Sequence, residues 1–302
     1  MTSYQKPIQV LAGALLLGKA ATMLQQHFKR NQNRHKLKDQ VLVITGASSG
    51  IGKALAYELA AAGCKLVLTA RREHLLEAIV ADLKSKFQIE ALAIPCDVAR
   101  REEAEAMIEM VLDRFQQIDI LINNAGVADY VYFSQDDPDA MRRVMDINYW
   151  GALYCIHKAL PAMSARQQGL IVNVSSVAGK LAQPGIANYS ASKYALNGLS
   201  QALRIELASQ GIRVLVVCPT STKTDIVATS HNHSGVKFNP EDFFGMSAER
   251  VARETVAAIC EQKREHVFGL AERIGLGIYH YLPGIGDRII GWGAKRVFQQ
   301  EG

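Results

Sequence analysis

The stretch TGASSGIG, residues 45–52, carries the strongest structural signal in this chain of 302 residues. Residues 41–45 are an aliphatic run that predicts a buried strand, and residues 52–62 have the pattern of an amphipathic helix. The glycines at positions 46, 50 and 52 permit a tight turn and close approach to the backbone. The start of the helix offers unpaired N–H groups. A strand, a glycine turn and a helix in this order predict a site for a pyrophosphate group.

From Val41 onward, short aliphatic runs alternate with longer amphipathic stretches. This alternation predicts an α/β, Rossmann-type doubly wound fold, in which helices cover both faces of a seven-stranded parallel sheet. The predicted strands are residues 41–45, 65–69, 90–94, 118–122, 169–174, 213–217 and 266–268. The predicted helices are residues 52–62, 73–86, 101–115, 138–164, 190–210 and 248–262. Because segment 220–239 is long, polar and irregular, we expect a functional lid or a disordered stretch there.

Bulk composition narrows the range of partners. The chain is 49% hydrophobic, which suits a globular domain with a sizeable core, and its formal net charge is +5. Much of the positive excess lies in residues 27–38, so the remaining chain is near neutral and nucleic acid is not expected as a partner. The five cysteines are widely scattered, which indicates a reducing compartment rather than a disulfide framework.

Both ends of the chain are apolar extensions of the predicted domain. We divide the chain into an N-terminal apolar helix with a basic linker (1–37), a dinucleotide-binding catalytic domain (38–269) and an apolar tail (270–302). Residues 8–24 either form a membrane anchor or pack as a helix against protein. Since the positive charge follows this stretch, a cleavable signal peptide fits poorly, and the catalytic domain is predicted on the cytoplasmic side of a membrane.

The C-terminal tail is too apolar to be a free tail, and three placements are open for it. It packs over the mouth of the substrate site, forms a subunit interface or lies in a membrane surface. Two apolar extensions beside one domain favour a lipophilic substrate, which would partition into a bilayer touched by both. We expect the chain to form a homodimer or a homotetramer.

Four further motifs follow the glycine turn: NNAG at 123–126, DIN at 146–148, SS at 175–176 and YSASK at 189–193. In order and spacing they resemble the short-chain dehydrogenase/reductase family over about residues 38–269. The resemblance implies an oxidoreductase that interconverts a ketone or aldehyde and its alcohol. The intact motif set disfavours the alternative of a non-catalytic NADP(H)-binding sensor or scaffold. The glycine spacing and chain length disfavour the related, longer epimerase and dehydratase architecture.

The YSASK motif carries the predicted chemistry. Tyr189 and Lys193 are four residues apart, so they share one face of a helix and the ammonium can approach the phenol. A neighbouring cation, together with the positive charge of an oxidised nicotinamide, is expected to lower the pKa of Tyr189 toward working pH, which suits an acid or base. Ser176, at the end of a strand, is expected to donate to the substrate oxygen, and the resemblance selects it over Ser175. The resemblance also implies that Asn148 holds a water linking Lys193 to solvent.

Coenzyme preference is predicted from the residues after the second strand. Ala70 stands where an NAD site usually has a carboxylate, and two arginines follow, which favours the 2′-phosphate of NADP(H). Arg71 is the first candidate for this contact and Arg72 the second. The resemblance implies that Asp97 accepts from the adenine amino group and that Asn124 closes the site beneath the adenosine.

One position departs from the family pattern. Thr220 follows Pro219 where the family usually has glycine, and a threonine hydroxyl near there, Thr222 or Thr224, is expected to contact the coenzyme. No metal ion is expected. The full set of predicted coenzyme-binding residues is Gly46, Ser48, Ser49, Gly50, Ile51, Gly52, Arg71, Arg72, Asp97, Asn124, Gly126, Tyr189, Lys193, Pro219 and Thr222.

Overall fold

The structure is a computed structural model that describes residues 34–223 and 245–297, with side chains described except at residue 223 and residues 293–297. The predicted N-terminal helix, residues 8–24, lies outside the described residues. Most of segment 220–239, including Thr224, also lies outside them. The domain boundaries predicted at residues 37 and 269 stay predictions, although Leu37 is already buried against the core.

Seven parallel strands form the central sheet, which confirms the predicted fold class. In space their order is β3-β2-β1-β4-β5-β6-β9. Two further strands, β7 and β8, pair with each other as a small separate sheet. The strands are β1 (Val41–Thr45), β2 (Lys65–Ala70), β3 (Ala91–Pro95), β4 (Ile120–Asn123), β5 (Gly169–Val174), β6 (Ile212–Cys218), β7 (Thr222–Lys223), β8 (Met246–Ser247) and β9 (Glu265–Val267). All residues of β1 and β5 are buried, which explains their aliphatic runs without alternation.

Helices cover both faces of this sheet and enclose two separate apolar cores. They are α1 (Gly50–Ala60), α2 (Glu73–Phe87), α3 (Arg101–Phe115), α4 (Pro138–Met145), α5 (Gly151–Arg166), α6 (Ala187–Glu206), α7 (Ala248–Cys260), α8 (Leu270–Tyr281) and α9 (Pro283–Val297). The first core joins the sheet to α1, α2 and α7, and the second joins it to α3, α5 and α6. The chain turns from one face to the other between β1 and β4, which are neighbours. A crevice at the carboxyl ends of these strands is where such folds bind ligands.

One predicted helix differs from the structure in a way that concerns the site. The continuous helix predicted for residues 138–164 is interrupted by a π-helical turn over Asp146–Trp150. A π turn accommodates one extra residue and is frequent at functional sites. Asn148 lies in this turn, where its side chain binds the backbone of Val127 instead of facing solvent.

The C-terminal tail is helical, which its apolar composition alone did not predict. β9 is followed by α8 and α9, which contact each other. Strands β7 and β8 were also not predicted, because two residues are too few for a hydrophobic period. Among residues 34–223 and 245–297, no helix is both long enough and apolar enough to cross a membrane.

Candidate active site

The glycine turn after β1 has the backbone shape that an anion site requires. Gly46 and Gly50 have φ angles of +66° and +53°, a region that favours glycine. A Cβ added to Gly52 would collide with the carbonyl oxygen of Gly46, so this position also requires glycine. Ser49 precedes α1 without a side-chain cap, and the first turn contains no acidic residue. The start of α1 therefore presents donors and positive potential that fit a pyrophosphate.

Asn124 connects this turn to the end of β4. Its Nδ2 donates to the carbonyl oxygens of Thr45 at 2.9 Å and Gly46 at 3.2 Å. Thr45 Oγ1 in turn accepts from the backbone N–H groups of Asn124 and Ala125, both at 3.0 Å. These bonds brace the two central strands where the crevice opens.

Asn148 is held at the back of the site by three hydrogen bonds, and only 1% of its surface is exposed. Its Oδ1 accepts from the N–H of Val127 at 2.8 Å. Its Nδ2 lies 2.9 Å from both the carbonyl oxygen of Val127 and the hydroxyl of Ser192. A Cβ added to Gly126 would lie 3.2 Å from Asn148 Oδ1 and 3.4 Å from Lys193 Nζ, so the glycine leaves room for both groups.

The start of α6 brings Tyr189 and Lys193 to the end of β5. Lys193 Nζ donates to the carbonyl oxygen of Val174 at 3.0 Å and lies 5.7 Å from the centre of the Tyr189 ring. Ser176 forms a side-chain hydrogen bond with Tyr189. Ser175 is instead buried and donates to the backbone carbonyl of Lys193 at 3.4 Å. Of the two serines, the structure thus brings Ser176 to the phenol.

Burial dominates the electrostatics of this pair. Burial raises the pKa of Tyr189 well above its usual range, although the bond from Ser176 opposes that shift. Burial also lowers the pKa of Lys193, from 10.5 to about 8. The predicted lowering of the phenol pKa depends on the charge of an oxidised nicotinamide as well as on Lys193, so it stays a prediction for the coenzyme complex. The ammonium is directed to the Val174 carbonyl, and desolvation outweighs its influence on the phenol.

At the end of β2, the structure separates the two candidate arginines. Arg72 donates to the hydroxyls of Ser48 and Ser49, both at 2.9 Å, so its guanidinium lies on the glycine turn. Arg71 is exposed. Ala70, the last residue of β2, leaves no carboxylate at that position. An anion beside the turn would thus meet one guanidinium and two hydroxyls.

The remaining predicted residues lie at the same edge of the sheet. Asp97 follows β3, and its Oδ1 accepts from the N–H of Ala99 at 3.2 Å. Pro219 follows β6, and its carbonyl accepts from Val177 at 2.9 Å. Thr222 donates from Oγ1 to the carbonyl of Thr220 at 2.8 Å. Ile51 packs against the first core as part of α1.

Tyr130 and Val131 belong to a segment that also borders the site but lies in none of the sequence motifs. Tyr130 is partly buried and close enough to Tyr189 to raise the pKa of that phenol. The next residue, Val131, donates its N–H to the carbonyl of Gly185 at 2.8 Å, which joins this segment to the loop before α6. Because this segment is irregular and has no hydrophobic period, the sequence alone does not predict that Tyr130 lies near Tyr189.

Comparisons with known proteins agree with this geometry. A family model described as short chain dehydrogenase matches residues 40–235. The dehydrogenase/reductase SDR family protein 7-like of Drosophila melanogaster is 32% identical over 283 residues, covering 91% of this chain and 86% of that protein. A Burkholderia phymatum short-chain dehydrogenase/reductase solved with NAD has a TM-score of 0.75 at 26% identity, covering 82% of this chain and 95% of that one. A Sphingobium yanoikuyae short-chain dehydrogenase solved with NADPH has a TM-score of 0.71 at 28% identity, covering 83% and 95%.

The chain belongs to the short-chain dehydrogenase/reductase family. It is accordingly an oxidoreductase with a nucleotide coenzyme and a small-molecule substrate. The similar structures include complexes with NAD and with NADPH, so the family alone does not define the coenzyme.

Proposed function

We propose that this protein is an NADP(H)-dependent enzyme that interconverts a lipophilic ketone or aldehyde and its alcohol. The observation that carries this proposal is the arrangement around Tyr189. Its phenol is hydrogen-bonded to Ser176, and Lys193 Nζ lies 5.7 Å from the centre of its ring. Asn148 and Lys193 both lie beside Gly126. The anion-binding turn is at the same edge of the sheet. A protein that only binds a dinucleotide would not need this arrangement.

The proposed mechanism assigns each side chain a separate task. A bound nicotinamide supplies or accepts the hydride. Ser176 and Tyr189 hold the substrate oxygen by hydrogen bonds, which stabilise the negative charge that develops there during reduction. The phenol of Tyr189, whose pKa lies above its usual range, is protonated at neutral pH, and it donates its proton to that oxygen as the hydride arrives. We assign Lys193 and Asn148 to the return of a proton to Tyr189 and Lys193 also to the nicotinamide ribose.

We assign coenzyme preference to Arg72, with Arg71 in a secondary role. Arg72 already binds the hydroxyls of Ser48 and Ser49, and a 2′-phosphate placed there would accept hydrogen bonds from all three side chains. No carboxylate opposes it, because Ala70 occupies the end of β2. Asp97 and Asn124 are assigned to the adenosine end of the site.

We further propose that residues 8–24 attach the protein to a membrane, with the catalytic domain on the cytoplasmic side. Support comes from the apolar composition of this stretch and from the basic residues that follow it. Deleting residues 1–30 is expected to lower the membrane-bound fraction of expressed protein, measured by fractionation, while the domain still folds. Recovery of the intact protein wholly in the soluble fraction at moderate salt would contradict the anchor.

A homodimer or homotetramer is the proposed assembly. Large apolar side chains are exposed at Met110 on α3, Trp150 beside α5 and Ile205 on α6, which is 78% exposed. Such side chains are typical of surfaces that become covered. Analytical ultracentrifugation in detergent tests this assembly, and a monomer at micromolar concentration would contradict it.

The decisive experiment for the reaction replaces Tyr189 with phenylalanine. Coenzyme oxidation with a panel of aliphatic, steroid and retinoid carbonyls is expected to fall by at least about 100-fold, since a general acid contributes about 10²–10⁴ to the rate. NADPH binding, measured by fluorescence, is expected to change little. Tyr194→Phe is the matched control, because Tyr194 is partly exposed on the same helix. Activity of Tyr189→Phe within a few fold of the unmodified protein would exclude the assignment.

A further inference from the structure

The two C-terminal helices, α8 and α9, pack against each other as a pair. Gly286 is buried there, and a Cβ added to it would lie 3.2 Å from the Cα of Tyr279. The pair begins directly after β9, which runs parallel to β6. It is therefore attached at the carboxyl edge of the sheet, the edge that also carries the active site.

The outer face of this pair is apolar and exposed. On each helix the exposed apolar side chains recur every three or four residues, so each helix has an apolar stripe. Tyr281 is 80% exposed, Trp292 60%, and Ile274 and Ile289 each 55%. The stripe comprises Leu270, Ile274, Ile278 and Tyr281 on α8 and Ile285, Ile289 and Trp292 on α9, with Leu282 between the helices. Large apolar side chains exposed together in this way indicate a surface that something covers.

A glycine on the apolar side of α8 also indicates an apolar covering. A Cβ added to Gly277, three residues after Ile274, would meet no atom within 4 Å, so close packing among the described residues does not explain this glycine. Glycine weakens a helix in water because it raises the entropy of the unfolded chain and lets water reach the backbone. A lipid environment removes the competing water, so helices in bilayers tolerate glycine better.

The charges identify the kind of surface. Both helices contain the same order of acidic, basic and apolar residues: Glu272-Arg273-Ile274 in α8 and Asp287-Arg288-Ile289 in α9. At about 100° per residue, each arginine flanks the apolar stripe and each acidic residue lies nearly opposite the isoleucine. An arginine at the border of an apolar stripe can reach a lipid phosphate while its stem stays in the apolar layer. Tyrosine and tryptophan also favour this boundary.

We propose that the apolar face of the C-terminal helix pair lies flat on an anionic lipid bilayer. At about 1.5 Å per residue, α8 and α9 are about 18 Å and 22 Å long, shorter than the hydrocarbon core of about 30 Å. This contact is separate from the proposed N-terminal anchor. It holds the active-site edge of the sheet against the membrane, where a lipophilic substrate would be concentrated.

Tryptophan fluorescence of the full chain tests this proposal without any enzymatic assay. The chain has two tryptophans, Trp150 and Trp292, so subtracting the signal of Trp292→Phe isolates Trp292. With vesicles of phosphatidylcholine and phosphatidylserine, the Trp292 emission is expected to shift to shorter wavelength and to be quenched by brominated acyl chains. Because quenching reports the position of Trp292 itself, attachment through the N-terminus alone does not produce it. The result is also independent of the proposed reductase activity.

Paired variants identify the surface and its charge. Ile274→Asn/Ile289→Asn is expected to lower the apparent vesicle affinity measured at Trp292 by about tenfold or more, since a buried isoleucine contributes that factor or more. Ile205→Asn, the same substitution at an isoleucine that is 78% exposed on α6, is the matched control. Arg273→Gln is expected to lower affinity about fivefold for anionic vesicles but little for pure phosphatidylcholine.

Two results would overturn the proposal. One is the absence of Trp292 quenching by brominated lipid when the protein floats with the vesicles. The other is a short-wavelength Trp292 emission that requires no vesicles and increases with protein concentration. That second result would assign the face to contact between two copies of the chain.

Discussion

Replacing Lys193 with methionine would measure how strongly burial destabilises the ammonium. The side chain is 3% exposed, and its pKa falls from 10.5 to about 8 in the folded protein. Between these two values the unfolded chain binds more protons than the folded one, so stability rises with pH in this window. Relative to the methionine variant, the unmodified protein should gain about 2 kcal/mol of unfolding free energy between about pH 7 and pH 9.5.

The comparison across pH isolates this effect from the other consequences of the substitution. Methionine also removes the donor to the Val174 carbonyl, but that loss is the same at both pH values and cancels. Tyr189 stays protonated over the range because burial raises its pKa. The assay is urea unfolding followed by circular dichroism, without coenzyme, at both pH values. Lys84 is exposed, so Lys84→Met shows how the pH dependence of unfolding changes when a solvated lysine is removed.

A pH-dependent difference below about 0.5 kcal/mol would refute the reasoning, since the linkage relation would then place the folded pKa close to that of a solvated lysine. A difference of opposite sign would mean that the folded protein stabilises the charge. In either case the Lys193 ammonium would not be desolvated as the structure indicates.

Two further predictions concern the coenzyme and the back of the site. Arg72→Ala is expected to raise the KM for NADPH about tenfold or more while that for NADH changes little, because a charge-assisted contact to the 2′-phosphate is lost. Arg71→Ala should have a smaller effect, and the reverse ranking in steady-state kinetics would reject our assignment. Asn148→Ala removes the three hydrogen bonds of a buried side chain and should lower the free energy of unfolding by about 3 kcal/mol. A loss below about 1 kcal/mol in urea unfolding would contradict this view of the π turn.

Much of the fold could be predicted from the sequence because its signals are local. A parallel strand buried on both faces is a continuous aliphatic run, and β1 and β5 have the bounds predicted for them. Gly46 and Gly50 marked a turn whose positive φ angles the structure contains. Tyr189 and Lys193 were predicted to share a helix face from their spacing alone, and α6 carries both.

Tertiary structure decided what depends on neighbours distant in the chain. Arg72 rather than Arg71 lies on the glycine turn because Ser48 and Ser49 are there to accept its hydrogen bonds, 23 or more residues away. Burial by many segments raises the pKa of Tyr189, which the spacing of Tyr189 and Lys193 did not predict. The π turn at Asn148 brings that side chain to Val127, 21 residues away. Local patterns show which residues share a face, whereas burial and long-range hydrogen bonds exist only once the sheet and its helices are assembled.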